Sequence, residues 1–211
     1  SKNFFGRDVQ IESSLEILKK NKILTVNGSQ SSGKTSFVKA GIFNRINNKF
    51  QGESGNNWSI CSFRPGLSPI ENLCTALSSD KLLYLNSKPN SSDFDDYLET
   101  FKIKESFGLL DIFKKSEIFG KKNVLIHIDH FEDIFRYPKF YDRDKHLDDE
   151  LFIETINKTI KNNSCSIYFI ITIQSNFLTK LNSYGTFSEL LSLSQFNLPN
   201  LDFNSFFYNI K

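Results

Sequence analysis

The chain has 211 residues, of which 39% are hydrophobic and 24% are charged. This length and composition predict one folded domain with a sizeable core and exclude a disordered chain. The formal net charge is only +2 at pH 7, which argues against a dedicated nucleic-acid or membrane-surface module, because such modules carry a strong basic excess. The apolar runs are far shorter than the roughly 20 residues that span a bilayer, and the first residues lack the pattern of a secretory signal.

Sulfur-containing residues give two further expectations. The sequence contains no methionine and begins at Ser1, which leads us to expect a piece excised from a longer polypeptide. The three cysteines, Cys61, Cys74 and Cys165, are odd in number and lack metal-ligand spacing. We therefore expect buried, reduced thiols in a cytoplasmic protein.

Hydrophobic periodicity predicts helices that alternate with short apolar strands. The predicted helices cover 9–20, 33–46, 69–78 with Ser68 as the N-cap, 94–119 with a break near Gly108, 151–161, 177–193 and 201–210. The predicted strands are 23–26, 58–63, 124–129, 166–173 and 195–198, and loops are predicted at 47–57, 81–93 and 137–149. Because the strands are almost continuously apolar, they indicate a parallel sheet covered by helices on both faces.

Residues 28–35 match the phosphate-loop (P-loop) pattern G-x-x-x-x-G-K-[ST] at every position. Gly28 and Gly33 permit a tight bend and a close approach of backbone N–H groups to phosphates, and the next helix directs its N-terminal dipole at them. Lys34 is expected to reach the β- and γ-phosphates, and the Thr35 hydroxyl to ligate Mg²⁺. Further candidate nucleotide contacts are Ser29, Gln30, Ser31, Ser32 and Ser36. The alternative is a Gly/Ser turn without a ligand.

An acidic residue ends the third apolar strand, at the sheet edge where α/β proteins bind ligands. Asp129 is the candidate to hold Mg²⁺ through water, opposite Thr35, and Glu132 is the candidate to orient the attacking water. In the alternative interpretation Asp129 only caps a helix and Glu132 decorates its first turn. Of the neighbouring histidines, His127 is expected to be a packed polar residue, whereas His130 would lie near the γ-phosphate.

Four segments, in order, resemble the NTPase domain of STAND-type signalling ATPases, in particular the bacterial novel STAND subgroup related to the NACHT and AP-ATPase groups. They are Phe4-Phe5-Gly6-Arg7-Asp8 before the first helix, Gly33 to Gly41 against the family's GKSSLVRAG, Trp58 with Phe63-Arg64-Pro65-Gly66 and Pro69, and Asp129 to Phe135 against its DQFEELF. The resemblance covers nearly the whole chain.

The resemblance implies an α/β P-loop NTPase fold, a three-layer sandwich of about five parallel strands in the order 5-1-4-3-2. It implies that residues 1–200 form the NTPase domain and that 201–211 begin a truncated helical lid. It also implies ATP or ADP with Mg²⁺ as cofactors, and a molecular switch fused to effector and sensor domains. Such proteins form homo-oligomers on activation, and some bacterial relatives act in defence against phage. By resemblance alone, Arg7 is expected near the adenine and ribose.

Two departures from the family pattern concern catalysis. The fourth strand usually ends in Arg followed by Asp, whereas this chain has Gln174 and Asn176, and His130 replaces a Gln. Loss of a cation beside the γ-phosphate predicts slow hydrolysis without loss of binding. A slow ATPase switch is therefore the leading hypothesis. The alternatives are a nucleotide-binding scaffold without turnover and an AAA+-type ATPase module; a small-molecule kinase and a GTPase are disfavoured, because an Arg-rich lid and a guanine motif are missing.

Overall fold

Five parallel strands form the central sheet in a computed structural model that describes residues 7–79, 82–136, 143–162 and 164–199. The strands are β1 (Ile23–Gly28), β2 (Trp58–Phe63), β3 (Asn123–Ile128), β4 (Ile167–Gln174) and β5 (Gln195–Asn197). They lie in the order β2-β3-β4-β1-β5, and each neighbouring pair is parallel. Counted from the β5 edge this is 5-1-4-3-2, so the predicted P-loop NTPase fold is confirmed.

Helices cover the sheet and connect its strands. They are α1 (Asp8–Asn21), α2 (Lys34–Ser36), α3 (Phe43–Lys49), α4 (Pro69–Leu77), α5 (Asp93–Lys104), α6 (Gly108–Lys115), α7 (Asp133–Arg136), α8 (Arg143–Lys161) and α9 (Thr186–Leu193). A π-helical stretch, Phe37–Ile42, joins α2 to α3, and 3₁₀ helices span Glu105–Phe107 and Ser175–Tyr184. For residues 47–49 and 143–146 the structure describes the backbone but not the side chains.

Two hydrophobic cores lie on opposite faces of the sheet. Successive strand residues point to opposite faces. Accordingly, Ile126 of β3 belongs to the core formed with α4, α5, α6, α8 and α9, whereas its neighbour Leu125 belongs to the core formed with α1, the π-helical stretch and α3. In β4, Phe169 and Ile170 divide in the same way. Burial on both faces explains why the strands are almost continuously apolar.

One predicted loop is largely a helix. The exposed loop predicted at 137–149 is wrong over 143–149, because α8 begins at Arg143; residues 137–142 lie outside the described part of the chain. The first turns of α8 are mostly charged, so they show no apolar period, and the helix is anchored further along by the buried Phe152 and Ile156. Asp149, expected on the surface, is fully buried.

Other boundaries differ by a few residues. The helix after the P-loop runs to Lys49, so the predicted loop at 47–57 starts later, and α6 ends at Lys115 rather than at Phe119. Ser68 precedes α4 as predicted, but its side chain makes no capping hydrogen bond. The helix predicted at 201–210, and with it the lid, lies outside the described residues. Within the described ranges, no helix has both the length and the apolar character needed to cross a membrane.

All three cysteines are buried free thiols, as predicted. Burial raises the pKa of Cys61 to about 12 and is the main cause of a similar rise, to about 12, at Cys74. These thiols are therefore neutral packing residues rather than nucleophiles.

Candidate functional site

A polar cavity of about 350 Å³ lies at the carboxyl edge of the sheet, beside the ends of β1, β3 and β4. The P-loop forms one wall, and the turn after β3 and the end of β4 form the other. The lining residues are Gln30, Ser31, Gly33, Lys34, Thr35, Ser36, His130, Glu132, Arg136, Thr172 and Gln174. This is the edge where ligands bind in open α/β sheets.

The P-loop bends through two residues with positive φ. Ser31 has φ 64° and Gly33 has φ 84°, and Gly33 lies at the N-cap of α2. Gly28 satisfies a different requirement: a Cβ there would lie 2.7 Å from the Ser32 hydroxyl oxygen and 3.0 Å from the Leu198 carbonyl oxygen. Gly33 is therefore required by its backbone conformation, and Gly28 is required by a close contact that leaves no room for a Cβ.

Lys34 folds back over the loop that precedes it. Its ammonium donates hydrogen bonds to the carbonyl oxygens of Gly28 (3.1 Å) and Ser29 (2.7 Å) and lies 3.5 Å from the Ser32 hydroxyl oxygen. Burial lowers its pKa, against the opposing pull of the nearby carboxylates of Glu132 and Asp129. The cation is thus held by neutral carbonyl groups at the cavity wall, where a phosphate would be a stronger partner.

Asp129 follows β3 directly and is fixed by hydroxyls from two other elements. The Thr35 hydroxyl donates to its carboxylate at 2.8 Å and the Thr172 hydroxyl at 2.6 Å. Burial alone would raise the pKa of Asp129, but these two hydrogen bonds and the nearby His127 and His130 bring it below its usual value. The structure therefore places Thr35 and Asp129 in direct contact, and their roles toward Mg²⁺ stay a prediction.

Glu132 is almost fully buried, at 1% exposure, and its carboxylate is surrounded by donors. One oxygen lies 3.3 Å from Nδ1 of His130 and 3.5 Å from Nη2 of Arg136, and the other accepts the backbone N–H of Gln174 at 3.2 Å. His130 itself has φ 56°, and its N–H donates to the Thr172 hydroxyl at 3.1 Å. The unusual backbone at His130 turns the chain so that Glu132 faces the cavity.

His127 lies inside β3 and takes no place in the cavity. Its Nδ1 pairs with the Ser62 hydroxyl at 2.9 Å, and its Nε2 is 3.9 Å from the Asp129 carboxylate. Burial, only partly opposed by Asp129, lowers the pKa of His127 to about 4. It is a neutral, packed polar side chain, as predicted.

Not every predicted residue lines the cavity; Asp129 does not, although it is hydrogen-bonded to the lining residues Thr35 and Thr172. Gly28, Ser29 and Ser32 are not among the lining residues; their oxygens contact the Lys34 ammonium. Arg7 is buried away from the cavity: its guanidinium donates to the Pro199 carbonyl oxygen at 3.0 Å. The expected place of Arg7 beside adenine remains a prediction.

Two cavity residues were missed by the sequence analysis. Thr172 lies near the carboxyl end of β4, one position beyond the pairing of Ile128 with Ile171, so strand register alone places it next to Asp129. Arg136 follows Glu132 by four residues, the spacing at which opposite charges meet on a helix. Both signals were present in the sequence. Placing Thr172 beside Asp129, however, requires the strand order, and pairing Arg136 with Glu132 requires a helical turn after β3.

The donor set fits a magnesium ion bound together with phosphates. A hydroxyl and a carboxylate, from Thr35 and Asp129, are hard oxygen ligands of the kind that Mg²⁺ prefers. Across the described ranges, no group of three or more His, Cys, Asp and Glu side chains is arranged to hold a metal. An ion here would take its other ligands from water and a nucleotide, as Mg²⁺ commonly does.

Three features define a P-loop NTPase domain. The P-loop follows the carboxyl end of β1, an acidic residue follows β3, which is separated from β1 by β4, and the strands lie in the order 5-1-4-3-2. A family model described as "Novel STAND NTPase 1" matches residues 1–207. The chain therefore belongs to the novel STAND NTPase 1 family, as its motifs predicted. Among proteins with curated functions, none matches the chain.

A solved structure gives the same fold at low sequence identity. The ORC2 protein of Aeropyrum pernix, in ADPNP–ADP complexes, is 9% identical with a TM-score of 0.53, and the match covers 94% of this chain. The chain spans about half the length of that protein, 49%. At this identity the likeness concerns the fold alone.

Proposed function

We propose that the chain is the ATP-binding switch domain of a STAND-type signalling ATPase, with slow, Mg²⁺-dependent hydrolysis coupled to activation. The observation that carries the proposal is a cavity lined by P-loop residues and by the buried Glu132, with the buried Asp129 hydrogen-bonded to the lining residues Thr35 and Thr172. The Thr35–Asp129 contact of 2.8 Å supports a single Mg²⁺ position between the two walls. Bound Mg²⁺ would neutralise phosphate charge and hold the triphosphate in place.

The chain's own residues have separable roles in this proposal. Backbone N–H groups of the P-loop and the Lys34 ammonium bind the phosphates and localise the charge of the terminal group. Thr172 orients the Asp129 carboxylate, which it contacts at 2.6 Å. Glu132 faces the cavity as the acceptor that orients the attacking water.

Slow turnover follows from what surrounds the terminal phosphate. At the end of β4 the cavity is lined by the neutral Gln174. An additional cation supplied by an assembled partner accelerates phosphoryl transfer by roughly 10³- to 10⁵-fold, so a site completed only in an assembled state turns over slowly alone. We expect a rate well below the ~10 s⁻¹ of a median enzyme.

Adenine specificity, fused effector and sensor domains, homo-oligomerisation, a defence role and a cytoplasmic location are further parts of the proposal. They are supported by family membership. The buried free thiols also suit a reducing compartment.

A scaffold that binds nucleotide without turnover is the second candidate. The contacts of the Glu132 carboxylate favour it, because His130, Arg136 and the Gln174 N–H already surround both carboxylate oxygens. A carboxylate so engaged has less capacity to accept a proton or orient water.

Single-turnover hydrolysis of ATP, with and without Mg²⁺, separates the two candidates. The protein is held in excess over γ-labelled ATP, and phosphate release is followed over hours beside a protein-free control. The switch proposal predicts slow release that requires Mg²⁺ and is lost in Lys34→Ala. Binding without any release above the control supports the scaffold, whereas GTP binding tighter than ATP binding contradicts the adenine specificity.

A further inference from the structure

We infer that Arg136 recognises the terminal phosphate of the bound nucleoside triphosphate, and that it exchanges its ion pair with Glu132 for one with that phosphate. The inference rests on the proposed function, because it assigns a residue and a regulatory step to the same cavity. Arg136 lies outside the P-loop, and neither the motif pattern nor the resemblance assigned it a role.

The position of Arg136 suits contact with phosphate. It is the last residue of α7 and lines the cavity opposite the P-loop. Of the described residues that line the cavity, Lys34 and Arg136 are the lysine and arginine side chains, and both carry a positive charge. The guanidinium also adds what an ammonium cannot, a planar fork that matches two phosphate oxygens at once.

The present partners of Arg136 hold it loosely. Its Nη2 is 3.5 Å from the Glu132 carboxylate and its Nε is 3.8 Å from the Asp133 carboxylate. These distances exceed the ~2.7–2.9 Å of a strong charge-assisted hydrogen bond. The Arg136 side chain is also 42% exposed, so water screens both pairs. A phosphate with two negative charges is therefore a stronger partner than either carboxylate.

An aromatic ring supports the guanidinium during this exchange. The Arg136 guanidinium carbon lies 5.6 Å from the centre of the Phe177 ring, within cation–π range. Lys180 lies 5.0 Å from the same ring but does not line the cavity. Arg136 and Lys180 thus pack against the same ring, but only Arg136 lines the cavity, so Lys180 serves as a matched control.

The exchange changes the surroundings of Glu132. One carboxylate oxygen is shared between Arg136 and His130, while the other accepts the Gln174 N–H. When the guanidinium turns to phosphate, the first oxygen keeps only His130 and gains a free lone pair facing the cavity. Arrival of a terminal phosphate thus makes the carboxylate available to orient water, whereas a diphosphate leaves the pair intact.

Arg136 also supplies a positive charge that the end of β4 does not. Gln174 lines the cavity at the position where the resemblance led us to expect an arginine. A cation from α7 enters the same cavity from the neighbouring element. In this chain, therefore, the positive charge that recognises the third phosphate comes from the short helix α7 rather than from the end of β4.

Isothermal titration calorimetry with two nucleotides tests the assignment. Wild type, Arg136→Gln and Lys180→Gln are each titrated with β,γ-imido-ATP and with ADP, in the presence of Mg²⁺. We expect Arg136→Gln to weaken imido-ATP binding about tenfold or more, the loss of a hydrogen bond to a charged group, and to change ADP binding less than about twofold. Lys180→Gln, which loses only its packing on Phe177, should bind both nucleotides as wild type does.

Equal losses for the two nucleotides in Arg136→Gln, or no loss for either, would overturn the inference. Thermal unfolding of the variant should match wild type, because Arg136 is 42% exposed and Glu132 keeps its contacts with His130 and the Gln174 N–H. Failure of wild type to bind either nucleotide would instead refute the proposed function, and the inference with it.

A double-mutant cycle tests the exchange itself. Glu132→Gln should strengthen imido-ATP binding relative to ADP, partly because Arg136 no longer has to leave an ion pair. In Glu132→Gln/Arg136→Gln this part of the gain must disappear, so the two substitutions should be non-additive for imido-ATP and additive for ADP. Additivity for both nucleotides would contradict an exchange between Glu132 and phosphate.

Discussion

Thr172→Val is the substitution that most directly tests how the acidic side of the site is built. The threonine is buried, at 2% exposure, and its hydroxyl oxygen serves two partners. It donates to the Asp129 carboxylate at 2.6 Å and accepts the His130 N–H at 3.1 Å. Valine has nearly the same shape, so the change removes these two hydrogen bonds and leaves the packing of β4 almost intact.

The expected loss of stability can be worked from these contacts. A hydrogen bond to a charged acceptor contributes about 1.5–3 kcal/mol, and a buried N–H left without its partner costs about 1–3 kcal/mol. His130 is half-buried, so its N–H lies toward the lower end of that range. We expect Thr172→Val to lower the free energy of unfolding by about 2–4 kcal/mol, a large part of the about 5–15 kcal/mol of a typical domain.

Urea unfolding followed by circular dichroism provides the assay, with Thr159→Val as the matched control. Thr159 is equally buried, at 1% exposure, and its hydroxyl donates to the backbone oxygen of Thr155 at 2.7 Å. Only one neutral hydrogen bond is lost there, so the control should cost about 0.5–1.5 kcal/mol. A cost for Thr172→Val equal to or below that of the control would refute the proposed support of Asp129.

The pH dependence of the same measurement adds a second check. Burial of Asp129 is outweighed by its hydrogen bonds from Thr172 and Thr35, so its pKa is lower in the folded chain than the ~3.9 of an unfolded one. Its ionisation therefore stabilises the fold above about pH 4, and this contribution is lost as pH falls through the folded pKa. The difference between wild type and Thr172→Val should be constant from about pH 8 to 5 and should narrow below about pH 4. A difference that widens in acid would contradict this assignment.

Three further predictions concern the proposed chemistry and the core. Glu132→Gln should slow single-turnover hydrolysis without weakening ATP binding; an unchanged rate would move the role to Asp133 or His130. Asp129→Asn should reduce the gain in ATP affinity on adding Mg²⁺, measured by calorimetry, because the carboxylate charge is lost; an unchanged gain would exclude Asp129 from the metal site. Cys61, whose pKa burial raises to about 12, should react with a thiol reagent at pH 8 only after unfolding, and rapid labelling of the native chain would contradict its burial.

Much of the fold was readable from the sequence because buried parallel strands carry a strong signal. The predicted strand 58–63 agrees with β2 at both ends, and the other strands differ by no more than two residues at either end. The order of the strands, however, came from the family resemblance. Periodicity alone does not determine which strands are neighbours.

The failure at α8 has a physical cause. Its first turns are nearly all charged, so no apolar face marks them, and the helix is fixed by tertiary packing of Phe152 and Ile156 further along. The helix α7 has only 4 residues, too few to show a helical period of apolar residues, so the sequence did not single out Arg136. Thr172 escaped because a buried threonine in a strand is usually only a β-branched packing residue.

The most direct test of the central claim is calorimetry of Mg·ATP binding to wild type, Lys34→Ala and Lys39→Ala. Lys34 lines the cavity, whereas Lys39 is exposed five residues further along the same helical stretch and does not. Loss of the Lys34 ammonium should weaken binding about tenfold or more, as expected for a hydrogen bond to charged phosphate, while Lys39→Ala should bind as wild type does. Equal affinities for all three proteins would contradict a nucleotide site at this P-loop.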